Sequence, residues 1–210
     1  MFTIIRNTLR KSRGALIGWG IGLAALAIMM GSMFDMMVAS NEMIDVVNAY
    51  TVAMPELAAM FKMEGMGTPI GWLDVEYFSF VPLIIGLFAT GVGANMLARD
   101  EEDGTLDLIL AHPVSRTALF WGRFLANTLV IIILLLISWA SLLLPMTWSE
   151  NFSIPAFDLL LPFVSMFGIM LFFMTLALLF GMLLPARSMA RMLSGMLVGA
   201  SFFISLLSAA

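Results

Sequence analysis

The sequence predicts an all-α polytopic membrane protein with its N-terminus in the cytoplasm, and three observations predict it. Of its 210 residues, 61% are hydrophobic and 11% are charged, against about 25% charged in an average soluble domain. A domain of this size still exposes much of its surface, so such an apolar surplus has nowhere to hide in water. Five charge-free runs reach the ~20 residues needed to cross a hydrocarbon core about 30 Å thick: 14–34, 77–98, 124–149, 159–186 and 192–210. The basic residues then gather on one side of those runs. The net charge of −4 argues against a nucleic-acid partner, which requires a basic face. The absence of cysteine removes disulfides, thiol nucleophiles and Cys–metal sites.

Residues 1–13 precede the first run as a short amphipathic interfacial helix. Phe2, Ile5 and Leu9 share one face, and Arg6, Arg10 and Arg13 another, a pattern that lies in the headgroup layer with its cations near anionic lipid. Extending the charge-free runs to their helical ends gives spans of about 14–38, 77–98, 119–147, 159–185 and 190–210. All must be helices, because a lone strand in lipid leaves its backbone groups unpaired. The first run, 21 residues long, exceeds the apolar core of a cleaved signal peptide and reads as a span. Pro82, Pro145, Pro162 and Pro185 lie near run ends, where a missing N–H costs little.

Orientation follows from Lys and Arg. Arg6, Arg10, Lys11, Arg13, Arg99, Arg116, Arg123, Arg187 and Arg191 fall on one side if the N-terminus is inside, and Lys62 is the exception. Trp72, Tyr77 and Trp148 then fall at the outer interface and Trp121 at the inner one, as an aromatic belt requires. Residues 39–76 form the outer loop. There Pro55 is placed to open a short surface helix, and Gly65, Gly67, Pro69 and Gly71 break it. Five spans leave the C-terminus outside, ending in an apolar stretch, and suggest a truncated form of a six-span protein.

Residues 99–117 are the most informative segment. Asp100, Glu101, Glu102 and Asp103 run consecutively on the cytoplasmic side, where carboxylates barely influence orientation, so topology does not explain them. Asp103 or Thr105 is placed to cap a short helix with Leu106, Ile109 and Leu110 on one face. Pro113 stops it and Ser115 caps the next helix. Spacing alone leaves two readings open: a helix that docks into a groove on a partner, or a solvated loop whose apolar face rests on lipid.

The run Glu102-Asp-Gly-Thr-Leu-Asp-Leu-Ile-Leu-Ala-His-Pro-Val-Ser-Arg116 resembles the cytoplasmic loop of ABC-2 type transporter permeases. That loop reads Glu-x-Gly-Thr-Leu, then apolar residues, then Pro-Val-Ser-Arg, between the second and third spans. The outer segment Pro55-Glu56-Leu57, with Thr68-Pro69-Ile70-Gly71-Trp72-Leu73 running into Glu76-Tyr77-Phe78-Ser79, also resembles one ABC-2 subgroup. The resemblance implies a six-span permease whose coupling helix sits in a groove of a separate ATP-binding subunit holding ATP and Mg2+. It also implies a second permease copy or paralogue forming a dimer, and a prokaryotic plasma membrane. Carried onto this sequence, Glu101, Glu102, Gly104, Thr105, Leu106, Leu110, Pro113, Ser115 and Arg116 form the coupling element. The departure from the family pattern is the last span.

The chain has no Gly-x4-Gly-Lys-Ser/Thr, so any ATP dependence comes from another chain. Its one histidine, His112, is a poor metal ligand without Cys or a second His, and no catalytic constellation is present. The spans carry no deep Asp, Glu, Lys or Arg, which weighs against an ion-coupled carrier and favours an apolar or amphipathic cargo. Met29, Met30, Met33, Met36 and Met37 cluster at the end of the first span. Thioethers bind Cu(I) and also serve as flexible apolar filler, and filler is the preferred reading. Gly14, Gly18 and Gly22, with Gly195 and Gly199 in the last span, form small faces that let helices approach in lipid. Packing within the monomer is the expectation. The rival functional reading is a non-transporting membrane anchor, or an immunity or scaffold protein, that docks a soluble partner through 99–117.

Overall fold

A computed structural model of the chain describes residues 1–60, 63–106, 111 and 115–208. The described residues are helical and carry no strand. In chain order the helices are α1 (Phe2–Lys11), α2 (Arg13–Ala39), α3 (Asn41–Ala53), α4 (Pro55–Met60), α5 (Pro69–Glu76), α6 (Val81–Asn95), α7 (Ala98–Glu102), α8 (Arg116–Leu143), α9 (Ala156–Leu183) and α10 (Arg187–Ser208). Among the described residues, four helices are long and apolar enough to cross a membrane: α2, α8 with the 3-10 turn that follows it, α9 and α10. The fifth candidate is the pair α5 and α6, bent by 44° at a short break.

Residues 69–76, read as the end of the outer loop, form the helix α5 of this pair. Thr68 caps α5, its Oγ1 accepting from the Gly71 N–H at 3.1 Å, and Pro69 occupies the first turn, where its fixed φ suits a helix start. Gly-Pro punctuation that reads as a breaker is therefore a helix entrance. Trp72 and Leu73 are buried in the core. At the break, the Ser79 hydroxyl donates to the Asp74 carbonyl at 2.7 Å, and Pro82 opens α6. The Pro162 expectation shifts as well: α9 begins at Ala156, so Pro162 lies inside the helix.

The bundle is built on two helix pairs. Helix α2 packs on α8, α6 packs most extensively on α9, and α10 lies on α6 and α9. Gly93 and Gly181 allow the α6–α9 approach. A Cβ on Gly93 would collide with the Met174 carbonyl, and one on Gly181 would stand 2.9 Å from the Ala94 carbonyl oxygen. In lipid, where apolar burial drives helices together only weakly, such backbone contact supplies the van der Waals attraction. Large apolar side chains face outward all round the bundle, among them Phe157, Phe172 and Leu183 at 71%, 62% and 69% exposure. A soluble protein would hide these; a lipid-facing surface requires them.

The expected aromatic belt is corrected at two of its members. Tyr77 is fully buried, its hydroxyl hydrogen-bonded to Ser138 of α8. Trp72 is buried too, its indole N–H donating to the Met30 carbonyl at 2.8 Å. Trp121 and Trp148 are half exposed. The difference is the partner: a buried Tyr or Trp is retained where its polar atom finds an acceptor inside the protein. The small-residue faces are corrected in part. Gly14, Gly18 and Gly22 meet nothing within 4 Å, whereas Gly195 touches Leu87 at 3.6 Å and Gly199 meets nothing. The first-span methionines divide, with Met37 buried, Met30 packed against the core, and Met29, Met33 and Met36 facing out.

Candidate functional site: an ion-paired clamp at the basic end of the bundle

Helix α6 ends at Asn95, and a short link carries the chain into α7, which holds three of the four consecutive acids. Asp100 and Glu101 stand in its first turn, where the helix dipole favours them. Gly104 has φ +65°, the left-handed conformation that glycine adopts without a Cβ penalty. The Thr105 N–H closes the turn by donating to the Asp100 carbonyl at 2.8 Å. The segment is thus a compact turn that leaves Leu106 half-buried.

The acids are claimed from three directions. Arg123, about two turns into α8, forms an ion pair with Asp100 and also donates to the Met96 carbonyl at 2.7 Å. The two side chains are only 14% and 17% exposed, so this pair is largely shielded from solvent screening. Arg187, the first residue of α10, holds Glu102 with Nε–O at 2.8 Å. The Arg187 backbone N–H also donates to the same carboxylate at 2.5 Å. Glu102 therefore caps the N-terminus of α10 from a different helix, satisfying an orphan donor and complementing the dipole together. Asp103 sits 3.5 Å from Arg99 and 4.0 Å from Arg187. Nearby, Arg191 donates to the Asn95 side-chain oxygen at 2.9 Å, a further tie between α10 and the end of α6.

Of the predicted coupling residues, Glu101, Glu102, Gly104, Thr105 and Leu106 lie together in this turn. Glu101 is exposed and makes no ion pair among the described residues. Ser115 and Arg116 begin α8, with the Ser115 hydroxyl accepting from the Ala118 N–H at 3.2 Å, the cap that the sequence suggested. Leu110 and Pro113, with Asp107, Ile109 and His112, lie outside the described residues, so the predicted apolar ridge does too. Arg123, Arg187 and Arg191 are the residues that sequence reading treated only as topology signals. Their sign, on the same side as four unexplained acids, was the available clue to pairing.

The amphipathic helix α1 is also placed more specifically than expected. It packs on α8, and Ile4 sits where a Cβ on Gly122 would stand 2.8 Å from its methyl. Leu9 packs against the core, while Phe2 is 77% exposed. The apolar face is thus split between protein and surroundings.

No group of three or more His, Asp or Glu able to hold a metal ion occurs among the described residues. Mechanically, the turn is tied to α8 through Asp100 and to α10 through Glu102, while it continues α6 covalently. A family model described as ABC-2 family transporter protein matches residues 2–210. Neither a curated protein nor a solved structure matches the chain. The match extends over nearly the whole sequence, and this all-helical, lipid-exposing bundle belongs to the ABC-2 transporter family as a membrane component of transport.

Proposed function

We propose that the chain is a permease subunit driven by a separate ATP-binding subunit, which grips the 99–117 segment from the cytoplasm and pairs with a second permease copy or paralogue. The observation that supports this reading is the pattern of ties around α7. Asp100 and Glu102 pair with Arg123 and Arg187, whereas Glu101 is exposed and makes no ion pair among the described residues. Within its described part, a turn tied to α8 and α10 through Asp100 and Glu102 and continuous with α6 has the form of a lever. ATP binding and hydrolysis in the partner would move it, and the spans would exchange between two access states. The plasma membrane of a prokaryote is the proposed location.

Two kinds of residue follow from this division. Glu101 and Leu106 belong to the docking surface; Glu102 and Asp100 belong to the transmission. The test is an affinity pull-down of the full chain in mild detergent, with identification of the soluble protein attached. A partner bearing a phosphate-binding Gly-x4-Gly-Lys-Ser/Thr loop is expected, and Glu101→Lys or Leu106→Asp should reduce its recovery at least tenfold. Recovery unchanged in both variants would contradict the docking assignment. If the partner lacks that loop, the reading as an anchor or scaffold takes its place.

A further inference from the structure

Two openings in the structure are one feature. The first is a cavity of about 1570 Å3 at the basic end of the bundle, walled by α1, α2, α6, α8 and the clamp. Seven cations and two carboxylates line it. The carboxylates, Asp100 and Asp103, are occupied by Arg123, Arg99 and Arg187. Arg6, Arg10, Lys11 and Arg13 also line the cavity and make no ion pair among the described residues. The second opening is a groove of about 600 Å3 between α2 and α6, floored by Gly14, Gly18 and Gly22 and walled by Leu23, Leu26 and Ile84. Ala15 and Trp19 line both, so the cationic chamber continues directly into the apolar groove. Trp19 leans on Phe88 of α6 with ring centroids 5.3 Å apart, which fixes the junction. The glycines have nothing within 4 Å, so the groove is open for its length rather than a seam already filled by protein.

We propose that this paired opening is a binding site for one resident anionic phospholipid from the adjacent leaflet, its phosphate among the α1 cations and an acyl chain along the glycine floor. Charge selects the occupant: unneutralised guanidinium groups in a partly enclosed chamber favour phosphate oxygens. The tail is selected by the groove, which offers apolar walls and the width that three absent side chains leave. A soluble anion would use only the chamber, and a neutral lipid only the groove. A peripheral amphipathic helix attracts anionic lipid diffusely. Here α1 is held against α8 by Ile4 and Leu9, and its cations face a chamber of fixed geometry, so one defined lipid is expected rather than an annulus. The assignment is independent of the coupling proposal.

Native mass spectrometry of the full chain released from detergent tests it, with palmitoyl-oleoyl phosphatidylglycerol and the phosphatidylcholine of the same chains as probes. One phosphatidylglycerol should remain bound at collision energies that strip phosphatidylcholine. Arg6→Gln with Arg10→Gln should weaken phosphatidylglycerol retention at least tenfold. Gly18→Leu, whose Cβ meets nothing within 4 Å and whose side chain would occupy the groove, should do so at least fivefold with every cation in place. Arg116→Gln, a cation outside the chamber, should leave retention unchanged, and millimolar glycerol phosphate should not compete. Equal retention of the two lipids would overturn the proposal. So would retention unaffected by either chamber or groove variant.

Discussion

The two ends of the bundle are held by different physics. At the basic end, α6, α8 and α10 meet through charges: Arg123 on Asp100, Arg187 on Glu102 and Asp103, Arg191 on Asn95. At the opposite end, α2, α5, α8 and the link before α9 meet through rings. Phe34 lies 6.3 Å from Trp72 and 5.8 Å from Phe152, and Phe78 stacks edge-on to Phe163 at 5.4 Å. The polar contacts there are few and capped: Trp72 to Met30, Tyr77 to Ser138, and Asp35 accepting from Ser149 at 2.8 Å. Close-packed rings lose contact energy for any displacement. The Arg123–Asp100 pair is largely buried, but the ties of Arg99 and Arg187, a third or more exposed, exchange partners at small cost. The aromatic end therefore resists displacement more than the Arg187 side of the charged end does.

Breaking the aromatic end has the largest expected effect. Trp72→Ala removes a buried ring and its hydrogen bond to Met30 and should cost about 3–5 kcal/mol, seen as a drop in thermal unfolding temperature in detergent. A drop no larger than that of an exposed control such as Trp148→Ala would erase the distinction between the ends. Next comes Asp100→Asn, which leaves the Arg123 guanidinium, 14% exposed, without its counter-charge. A loss of about 1.5–3 kcal/mol is expected. The smallest effect sharpens the contrast within the aromatic end. Tyr77→Phe deletes one hydrogen bond to Ser138 while keeping the ring, and should cost about 0.6 kcal/mol, the average for interhelical hydrogen bonds in membrane proteins. A cost above that of Asp100→Asn would show that polar contacts, not rings, hold this end.

These differences also mark what the sequence made legible. The long apolar runs and the placement of the basic residues were readable because lipid forces every span to be helical and apolar. The Ser115 cap was readable because caps are local chemistry. The α5–α6 bend was not: Thr68-Pro69 reads as a breaker until tertiary burial of Trp72 and Leu73 makes it a helix entrance. Nor was the burial of Tyr77, whose partner Ser138 is 61 residues away. The glycine faces misled for the same reason. Spacing predicts that small residues pack, but only the arrangement of α2 and α6 leaves Gly14, Gly18 and Gly22 facing open space. The clamp partners of the acids were present in the sequence as charges, and only the fold pairs Glu102 with Arg187.

If the turn works as the proposed lever, Glu102 carries its movement to α10 through Arg187, and a charge-exchange cycle isolates that step. Permease-stimulated ATPase activity of the complex with the proposed ATP-binding subunit would be measured for Glu102→Arg, Arg187→Glu and the double exchange, alongside partner recovery in pull-down. Each single variant should keep the partner but lower that stimulated activity about tenfold, and the double exchange should restore most of it. Single variants that lose the partner outright, or a double exchange no more active than either single, would contradict the proposed lever.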